Sequence, residues 1–294
     1  MSDWEELYKK NRFYFQKSPK GDLSDPSFKP NLPNPEQVLA NLRQIDLTDL
    51  RELNLKGGEP FINSEVEATL RYLDLSGILP NVAVAISTNG TVYNERVLNL
   101  LARAKSVLLN VSVDGVGALN EYIRYGKSHT DLIESNIAQF NLLENIRICR
   151  VTSIMNYNLS NLIQIRDWWF ALSKKYKKMI PLPDFSLLVF QPRWLDPNVL
   201  SDNYRAKIRN DLIQAQRRKE FTSVIKTLEL PWTGPEHHNR WVQYTRDMED
   251  IRKNNILNLV PDLTDELQFC DKNSPIRELP AKITRSFREY FLRI

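Results

Sequence analysis

Between residues 49 and 190 the sequence alternates between short apolar runs and segments with helical periodicity. The apolar runs predict strands over 51–56, 82–88, 106–113, 146–154 and 185–190. The intervening segments carry apolar residues three or four positions apart, as at Val66, Leu70 and Leu73. Repeated strand–helix units build a right-handed parallel sheet, either open or curled into a barrel. Because the run 82–88 is apolar on both faces, we expect helices to cover both faces of the sheet.

The chain up to residue 195 has two sections. Residues 1–34 combine a short predicted helix over 4–16 with a loop rich in proline, lysine, serine and aspartate. Residues 35–195 hold the strand–helix units and open with a predicted helix over 35–45, capped by Asn34. A helix therefore precedes the first visible strand, as if the chain entered partway through a strand–helix unit.

The alternation stops after residue 195. The apolar spacing predicts one long helix over 199–228 and a second over 237–256, followed by a polar tail over 262–294. Residues 196–294 are therefore expected to form a mainly helical C-terminal extension.

Composition excludes several classes of protein. No apolar run approaches the roughly 18 residues that a membrane-spanning helix needs, and the first residues have no apolar signal-peptide core. Two cysteines in 294 residues argue against a disulfide framework and agree with a cytoplasmic protein. The net charge of +4 is mild, and the basic clusters at 174–178 and 217–219 are interpreted as solvated helix faces. Neither a membrane nor a nucleic acid is an expected partner.

Polar and glycine-containing turns follow three successive predicted strands. They are Gly57-Gly58-Glu59-Pro60, Ser87-Thr88-Asn89-Gly90 and Ser112-Val113-Asp114-Gly115. Ligands of parallel α/β sheets bind at the carboxyl ends of the strands. Two glycines allow a close backbone approach to a ligand, and Glu59 could pair with a ligand ammonium group. Taken alone, the first turn is equally consistent with a plain strand-to-helix connection.

The three turns in this order resemble the core of the radical S-adenosylmethionine (radical SAM) family, over roughly residues 36–190. The resemblance is nearest to members with a twitch or SPASM-like C-terminal extension. It implies a partial six-stranded (β/α) barrel that binds S-adenosylmethionine (SAM). By this resemblance Gly57, Gly58 and Glu59 contact the amino group of SAM. The remaining positions implied for the SAM site are Pro60, Thr88, Asn89, Ser112, Asp114 and Arg124.

The sequence departs from the family in one respect. Members bind a 4Fe–4S cluster through Cys-x-x-x-Cys-x-x-Cys after the first strand, and they cleave SAM reductively to abstract a hydrogen atom from a substrate. The only cysteines here are Cys149 and Cys270, so the metal ligands are missing together with the first strand. We expect a truncated or otherwise inactive radical SAM protein whose intact relatives act on a peptide, a sugar or a small metabolite.

Two alternatives stay open at the level of sequence. One is a non-catalytic module that descends from a radical SAM enzyme and binds SAM or a partner. The other is an unrelated β/α-barrel enzyme that uses Glu59 or Asp114 in acid–base chemistry. Loss of a first strand would also expose the edge of the strand over 51–56 and favour association through it.

Overall fold

The computed structural model describes residues 34–124 and 128–268, which fall into two compact units. The first unit comprises 34–153 and 161–184, and the second comprises 154–160 and 185–268. The helix predicted over 4–16, the tail beyond residue 268 and Cys270 lie outside the described residues.

The first unit is built on a four-stranded parallel sheet. Its strands are β1 (Glu52–Leu55), β2 (Ala83–Thr88), β3 (Ser106–Ser112) and β4 (Ile146–Val151), and they lie side by side in chain order. The carboxyl ends of consecutive strands therefore meet at the same edge of the sheet. A single parallel bridge between Ile148 and Met179 continues the pairing beyond β4. This arrangement confirms a mixed α/β fold with a parallel sheet.

Helices separate the strands, as the apolar spacing predicts. They are α1 (Pro35–Leu42), α2 (Ser64–Leu75), α3 (Glu95–Leu101), α4 (Ala118–Arg124), α5 (Thr130–Phe140) and α6 (Leu162–Lys175). Asparagine side chains at residues 34, 63 and 94 accept backbone N–H groups at the starts of α1, α2 and α3. These caps satisfy donors that have no partner within the helix. The start of α1 confirms the cap that the sequence indicates at Asn34.

The two faces of the sheet differ in burial. In β2 the side chains of Val84, Ile86 and Thr88 are fully buried, whereas the alternating Ala83, Ala85 and Ser87 are only half-buried. The same alternation runs through β3 and β4. The prediction that both faces are fully covered is therefore wrong, because the second face carries small and polar side chains and stays partly open to solvent.

The predicted strands after β3 are shorter than their apolar runs. The run 146–154 divides into β4 and β5 (Ser153–Ile154), and the run 185–190 contains only β6 (Leu187–Leu188). β5 and β6 pair in a separate two-stranded sheet, where Val189 N–H donates to the Ile154 carbonyl at 2.9 Å.

The second unit is mainly helical. Its helices are α7 (Asp202–Ala215), α8 (Thr222–Thr227), α9 (Pro235–Arg252) and α10 (Thr264–Gln268). The prediction of one helix over 199–228 is wrong. Gln216 leaves the helical region with ψ 141°, and the Glu220 carboxylate accepts the N–H groups of Arg217 and Arg218. A side chain thus replaces the helical acceptors of the 217–218 backbone.

The helix α9 agrees closely with the predicted range 237–256. It ends where Lys253 turns into the left-handed region at φ 55°. Within the part of the chain that the structure describes, no helix combines the length and apolar character that crossing a membrane requires.

Candidate cofactor site

The turn after β1 has an anchored side and an open side. Pro60 and Phe61 are buried, and the Phe61 ring stacks on Phe140 with a centroid distance of 5.3 Å. Gly57 and Gly58 adopt φ values of 100° and 58°, and a Cβ placed on either would meet no atom within 4 Å. The glycines therefore supply the left-handed backbone that the turn needs, and they border open space.

The Glu59 carboxylate joins the ends of β1 and β2. Its Oε1 accepts the Thr88 hydroxyl at 2.7 Å and the Phe61 N–H at 3.3 Å. Its Oε2 accepts the backbone N–H of Asn89 at 2.8 Å. Residues that are 29 and 30 positions apart in the sequence are thus brought together, as the turn motifs predicted. The second turn is part of the same site as the first.

These bonds leave part of the carboxylate available. An ionised carboxylate offers about four lone-pair positions, and Glu59 uses three of them within the described residues. Glu59 is half-buried, so one side of the group faces accessible space. A partly shielded carboxylate with a fixed orientation can bind a primary ammonium group through a charge-assisted hydrogen bond.

The second turn requires glycine at residue 90. Gly90 has φ 73°, and a Cβ there would lie 2.9 Å from Cγ1 of Val111 and 3.1 Å from Cγ2 of Ile133. Its N–H donates to the Thr88 hydroxyl at 3.0 Å. The Asn89 side chain accepts the N–H of Thr91 at 2.8 Å, which closes the turn locally.

Two asparagines that the sequence analysis missed hold the two turns in place. Asn94 donates through Nδ2 to the Phe61 carbonyl at 2.8 Å while its Oδ1 caps α3. Asn136, buried on α5, donates to the Gly90 carbonyl at 2.9 Å. The cap signal at Asn94 is visible in the sequence, but a polar residue on the apolar face of α5 gives no indication of its partner 46 positions away.

The end of β3 contributes one half-buried and one buried polar residue. Ser112 is half-buried, and its hydroxyl has no hydrogen-bond partner among the described residues. Asp114 is 3% exposed and forms an ion pair with Nε of Arg124 at 2.9 Å. Its Oδ1 also accepts the N–H of Ser153 at 2.6 Å. Burial raises the pKa of Asp114, and the positive charge of Arg124 opposes that shift.

The contacts of Asp114 and Arg124 are those of residues that fix a loop. The Asp114 N–H donates to Oδ1 of Asn120 at 2.8 Å, and Nδ2 of Asn120 donates to the Ser128 carbonyl at 2.6 Å. These bonds fasten the segment after β3 to the start of the next helical segment. Of the predicted set, Glu59, Thr88 and Asn89 meet directly, whereas Asp114 and Arg124 form a separate ion pair in which Asp114 is buried and Arg124 half-buried.

A third missed residue is Arg150 on β4, which is 2% exposed. It donates to the hydroxyl of Thr152 and, at 2.9 Å, to the Pro183 carbonyl. Thr152 in turn donates to the Val113 carbonyl at 2.6 Å. The guanidinium group thus links the end of β4 to the segment around Pro183, while Thr152 links it to the end of β3.

The described residues do not fit an iron–sulfur cluster. Cys149 lies half-buried on β4, where burial raises the pKa of its thiol. Among residues 34–124 and 128–268, no three His, Cys, Asp or Glu side chains are grouped so that they could hold a metal ion. His238 is buried with both ring nitrogens 2.8 Å from the carbonyls of Val199 and Glu266, which is a structural role.

The residues do fit the amino-acid end of SAM. The Glu59 carboxylate has an open position for an ammonium group, and the two glycines beside it border free space. Thr88 and the Asn89 N–H orient this carboxylate and therefore act as supporting groups. Ser112, at the end of β3, carries a hydroxyl that has no hydrogen-bond partner among the described residues.

The solved structures that are similar to this chain include two of SuiB from Streptococcus suis. The structure with bound precursor peptide SuiA covers 80% of this chain at 15% identity and a TM-score of 0.39. The structure with bound S-adenosylmethionine covers 68% at 17% identity and a TM-score of 0.40. This chain spans 46% and 48% of the lengths of those proteins.

No curated protein matches the sequence significantly. The model of the radical SAM superfamily matches residues 16–153, a range that includes all three strand-end turns and both residues of the Asp114–Arg124 pair. Over this segment, which is less than half of the chain, the sequence matches the radical SAM superfamily.

Proposed function

We propose that this chain binds SAM at the carboxyl ends of β1 and β2, with the ammonium group of SAM on Glu59. The observation that carries the proposal is the Glu59 carboxylate, which Thr88 and Asn89 hold across two strand ends while one lone-pair position stays open. A group that is already oriented loses little side-chain entropy when the ligand arrives.

The other predicted site residues also have roles in the proposed binding of SAM. Gly57 and Gly58 let the ligand approach the backbone, and Pro60 fixes the exit of the turn. Ser112 and the Asn89 side chain offer hydrogen bonds to the ribose or carboxylate of SAM. The ion pair of Asp114 and Arg124 acts by holding the loop after β3 in position.

We further propose that this chain alone does not cleave SAM. Reductive cleavage in the family requires a 4Fe–4S cluster, and such clusters are usually held by three or four thiolates. The sequence has two cysteines, 121 positions apart. Two origins account for this composition: a cluster-bearing segment encoded outside this sequence, or a lineage that has lost its cluster. The sequence of the genome immediately upstream of the Met1 codon distinguishes them.

We assign cofactor binding to residues 35–195 and a helical extension of the twitch type to residues 196–294. A substrate class for an intact relative stays at the level of a peptide, a sugar or a small metabolite. The alternative function, a non-catalytic SAM- or partner-binding module, shares the SAM site and differs in having no cluster segment anywhere.

Isothermal titration calorimetry with SAM tests the site. We expect a measurable dissociation constant for the purified chain in the absence of iron and sulfide. Absence of SAM binding by a chain whose circular dichroism spectrum shows folded α/β structure would refute the proposal.

Reconstitution with iron, sulfide and reductant tests the claim about cleavage. We expect neither the absorbance of a 4Fe–4S cluster nor 5′-deoxyadenosine in the presence of SAM. Detection of 5′-deoxyadenosine above a control without protein would show that the chain holds a cluster by itself and would contradict this part of the proposal.

A further inference from the structure

The sequence contains a single Asn-Gly pair, Asn89-Gly90, and it lies in the turn after β2. Such a pair can deamidate spontaneously, because glycine has no Cβ to hinder attack by its own backbone nitrogen. That nitrogen attacks Cγ of the asparagine: the N–Cγ bond forms, the Cγ–Nδ2 bond breaks, and ammonia leaves with the proton of the attacking N–H. Water then opens the cyclic imide at either carbonyl, which gives aspartate or isoaspartate.

The backbone nitrogen of Gly90 is restrained against this reaction. Its N–H donates to the Thr88 hydroxyl at 3.0 Å, and that hydroxyl donates to Oε1 of Glu59 at 2.7 Å. Thr88 and Gly90 are both buried. Release of the proton from the Gly90 N–H therefore requires that a buried hydrogen bond be broken first, which costs free energy for both partners.

The peptide groups on both sides of Asn89 are fixed as well. The Asn89 N–H donates to Oε2 of Glu59 at 2.8 Å. The Gly90 carbonyl accepts Nδ2 of Asn136 at 2.9 Å, and a Cβ on Gly90 would lie 2.9 Å from Cγ1 of Val111. The peptide between Asn89 and Gly90 can therefore turn toward the asparagine side chain only when the turn opens locally.

The Asn89 side chain is restrained but remains within reach of water. Its Oδ1 accepts the N–H of Thr91 at 2.8 Å and the Thr91 hydroxyl at 2.7 Å. These bonds hold Cγ within a closed turn. Because Asn89 is only half-buried, water can reach the amide. The attacking nitrogen and the attacked carbon are thus held by separate hydrogen bonds at a site that solvent can enter.

From these contacts we infer that Asn89-Gly90 is a deamidation site whose rate is set by the hydrogen bonds of Thr88 and Glu59. The closed turn suppresses the reaction, which proceeds from a locally opened turn. Isoaspartate lengthens the main chain between residues 89 and 90 by a carbon atom. The N–H groups of these two residues then no longer both meet Glu59 and Thr88, so deamidation removes the arrangement that holds the Glu59 carboxylate.

The rate of deamidation in the folded and the unfolded chain tests the inference. The chain is incubated in mildly alkaline buffer, and mass spectrometry follows the tryptic peptide 72–96, in which the reaction replaces an amide by a carboxylate. We expect the folded chain to react about tenfold more slowly, or slower still, than the chain in urea, because only the opened turn reacts. Equal rates in the two states would overturn the inference.

Substitution of Thr88 tests the part that its hydroxyl plays. Thr88→Val keeps the shape of the side chain but removes the acceptor of the Gly90 N–H, and we expect the folded variant to deamidate several-fold to about tenfold faster than the wild type. Thr88→Ser keeps the hydroxyl and should react at nearly the wild-type rate. Thr48→Val, a change at an exposed threonine, is the matched control and should leave the rate unchanged.

Urea unfolding establishes that each variant is folded under the conditions of incubation. If Thr88→Val does not fold, Glu59→Gln takes its place, because it sets an amide nitrogen against the Asn89 N–H and should also accelerate the reaction. A folded Thr88→Val or Glu59→Gln with the wild-type rate would overturn the inference, as would a Thr88→Ser variant that reacts as fast as Thr88→Val. These measurements use no SAM, so their outcome is independent of the proposed cofactor binding.

Discussion

Replacement of Glu59 by glutamine isolates the charge of the proposed ammonium site. The glutamine carbonyl can keep the bonds that Oε1 accepts from the Thr88 hydroxyl and the Phe61 N–H. The amide nitrogen then takes the place of Oε2, where it faces the N–H of Asn89, which lies 2.8 Å from Oε2 in the wild type. Two donors meet there, so the turn loses one hydrogen bond to a charged group.

The expected loss of SAM affinity follows from the lost charge. A hydrogen bond to a charged group contributes about 1.5–3 kcal/mol, which corresponds to an increase of roughly 10- to 150-fold in the dissociation constant. The same variant loses one such bond within the protein, so we also expect a lower midpoint in urea unfolding. Titration calorimetry at a temperature where both proteins are folded measures the affinity.

A ligand without the amino-acid group separates the loss of pairing with the ammonium group from a structural change in the site. 5′-Methylthioadenosine shares the nucleoside of SAM but has no ammonium group, so its affinity should be the same for Glu59→Gln and the wild type. Glu36→Gln, an exposed change on α1, is the matched control and should alter neither affinity. Equal losses for both ligands, or no loss for SAM in a folded variant, would refute direct pairing between Glu59 and the ligand.

Three further changes test how the fold positions the site. Gly90→Ala forces a Cβ to 2.9 Å from Cγ1 of Val111 at a φ of 73°, and we expect urea unfolding to show a loss of about 1–3 kcal/mol; an unchanged midpoint would contradict the close contact. Lys219→Gly relieves a φ of 62° in an exposed residue and should stabilise the chain by about 0.5–1 kcal/mol, with a lower midpoint as the contrary result. Burial lowers the pKa of His237, so its contribution to stability is complete above its ordinary pKa near about 6.5 and is lost as the pH falls through the lowered value. His237→Gln should therefore flatten the decline in unfolding free energy between about pH 7 and about pH 5, and an unaltered slope would show that other groups cause the decline.

Local signals in the sequence predicted the strand–helix order of the first unit well. The ranges of β2 and β3 and the cap at Asn34 follow from apolar runs and from a residue that satisfies free helix donors. The prediction of one helix over 199–228 was wrong because of a local side-chain interaction. Its apolar spacing continues, but the Glu220 carboxylate offers the 217–218 backbone an alternative to helical bonds.

In the candidate site, too, local features were predicted from the sequence and contacts between distant residues were not. The turn residues Gly57–Pro60 and Thr88–Gly90 were identified from their order along the chain and from the resemblance that this order supports. Asn136 and Arg150 were missed, because a polar residue within an apolar pattern gives no information about which distant carbonyl will accept its hydrogen bond. The burial of Asp114 against Arg124 was likewise invisible in a motif that suggested ligand contact.

By itself the sequence determined the order of strands and helices in the first unit, where the polar turns fall, and that thiolates for an iron–sulfur cluster are lacking. Tertiary structure alone decided that Glu59 is held by Thr88 and the N–H of Asn89, that Asp114 is buried, and that one face of the sheet stays partly open. The physical reason is the difference in sequence separation between the interacting groups. Backbone conformation responds to neighbours within a few residues, whereas burial and hydrogen-bond partners depend on groups that only the folded chain brings within about 3 Å.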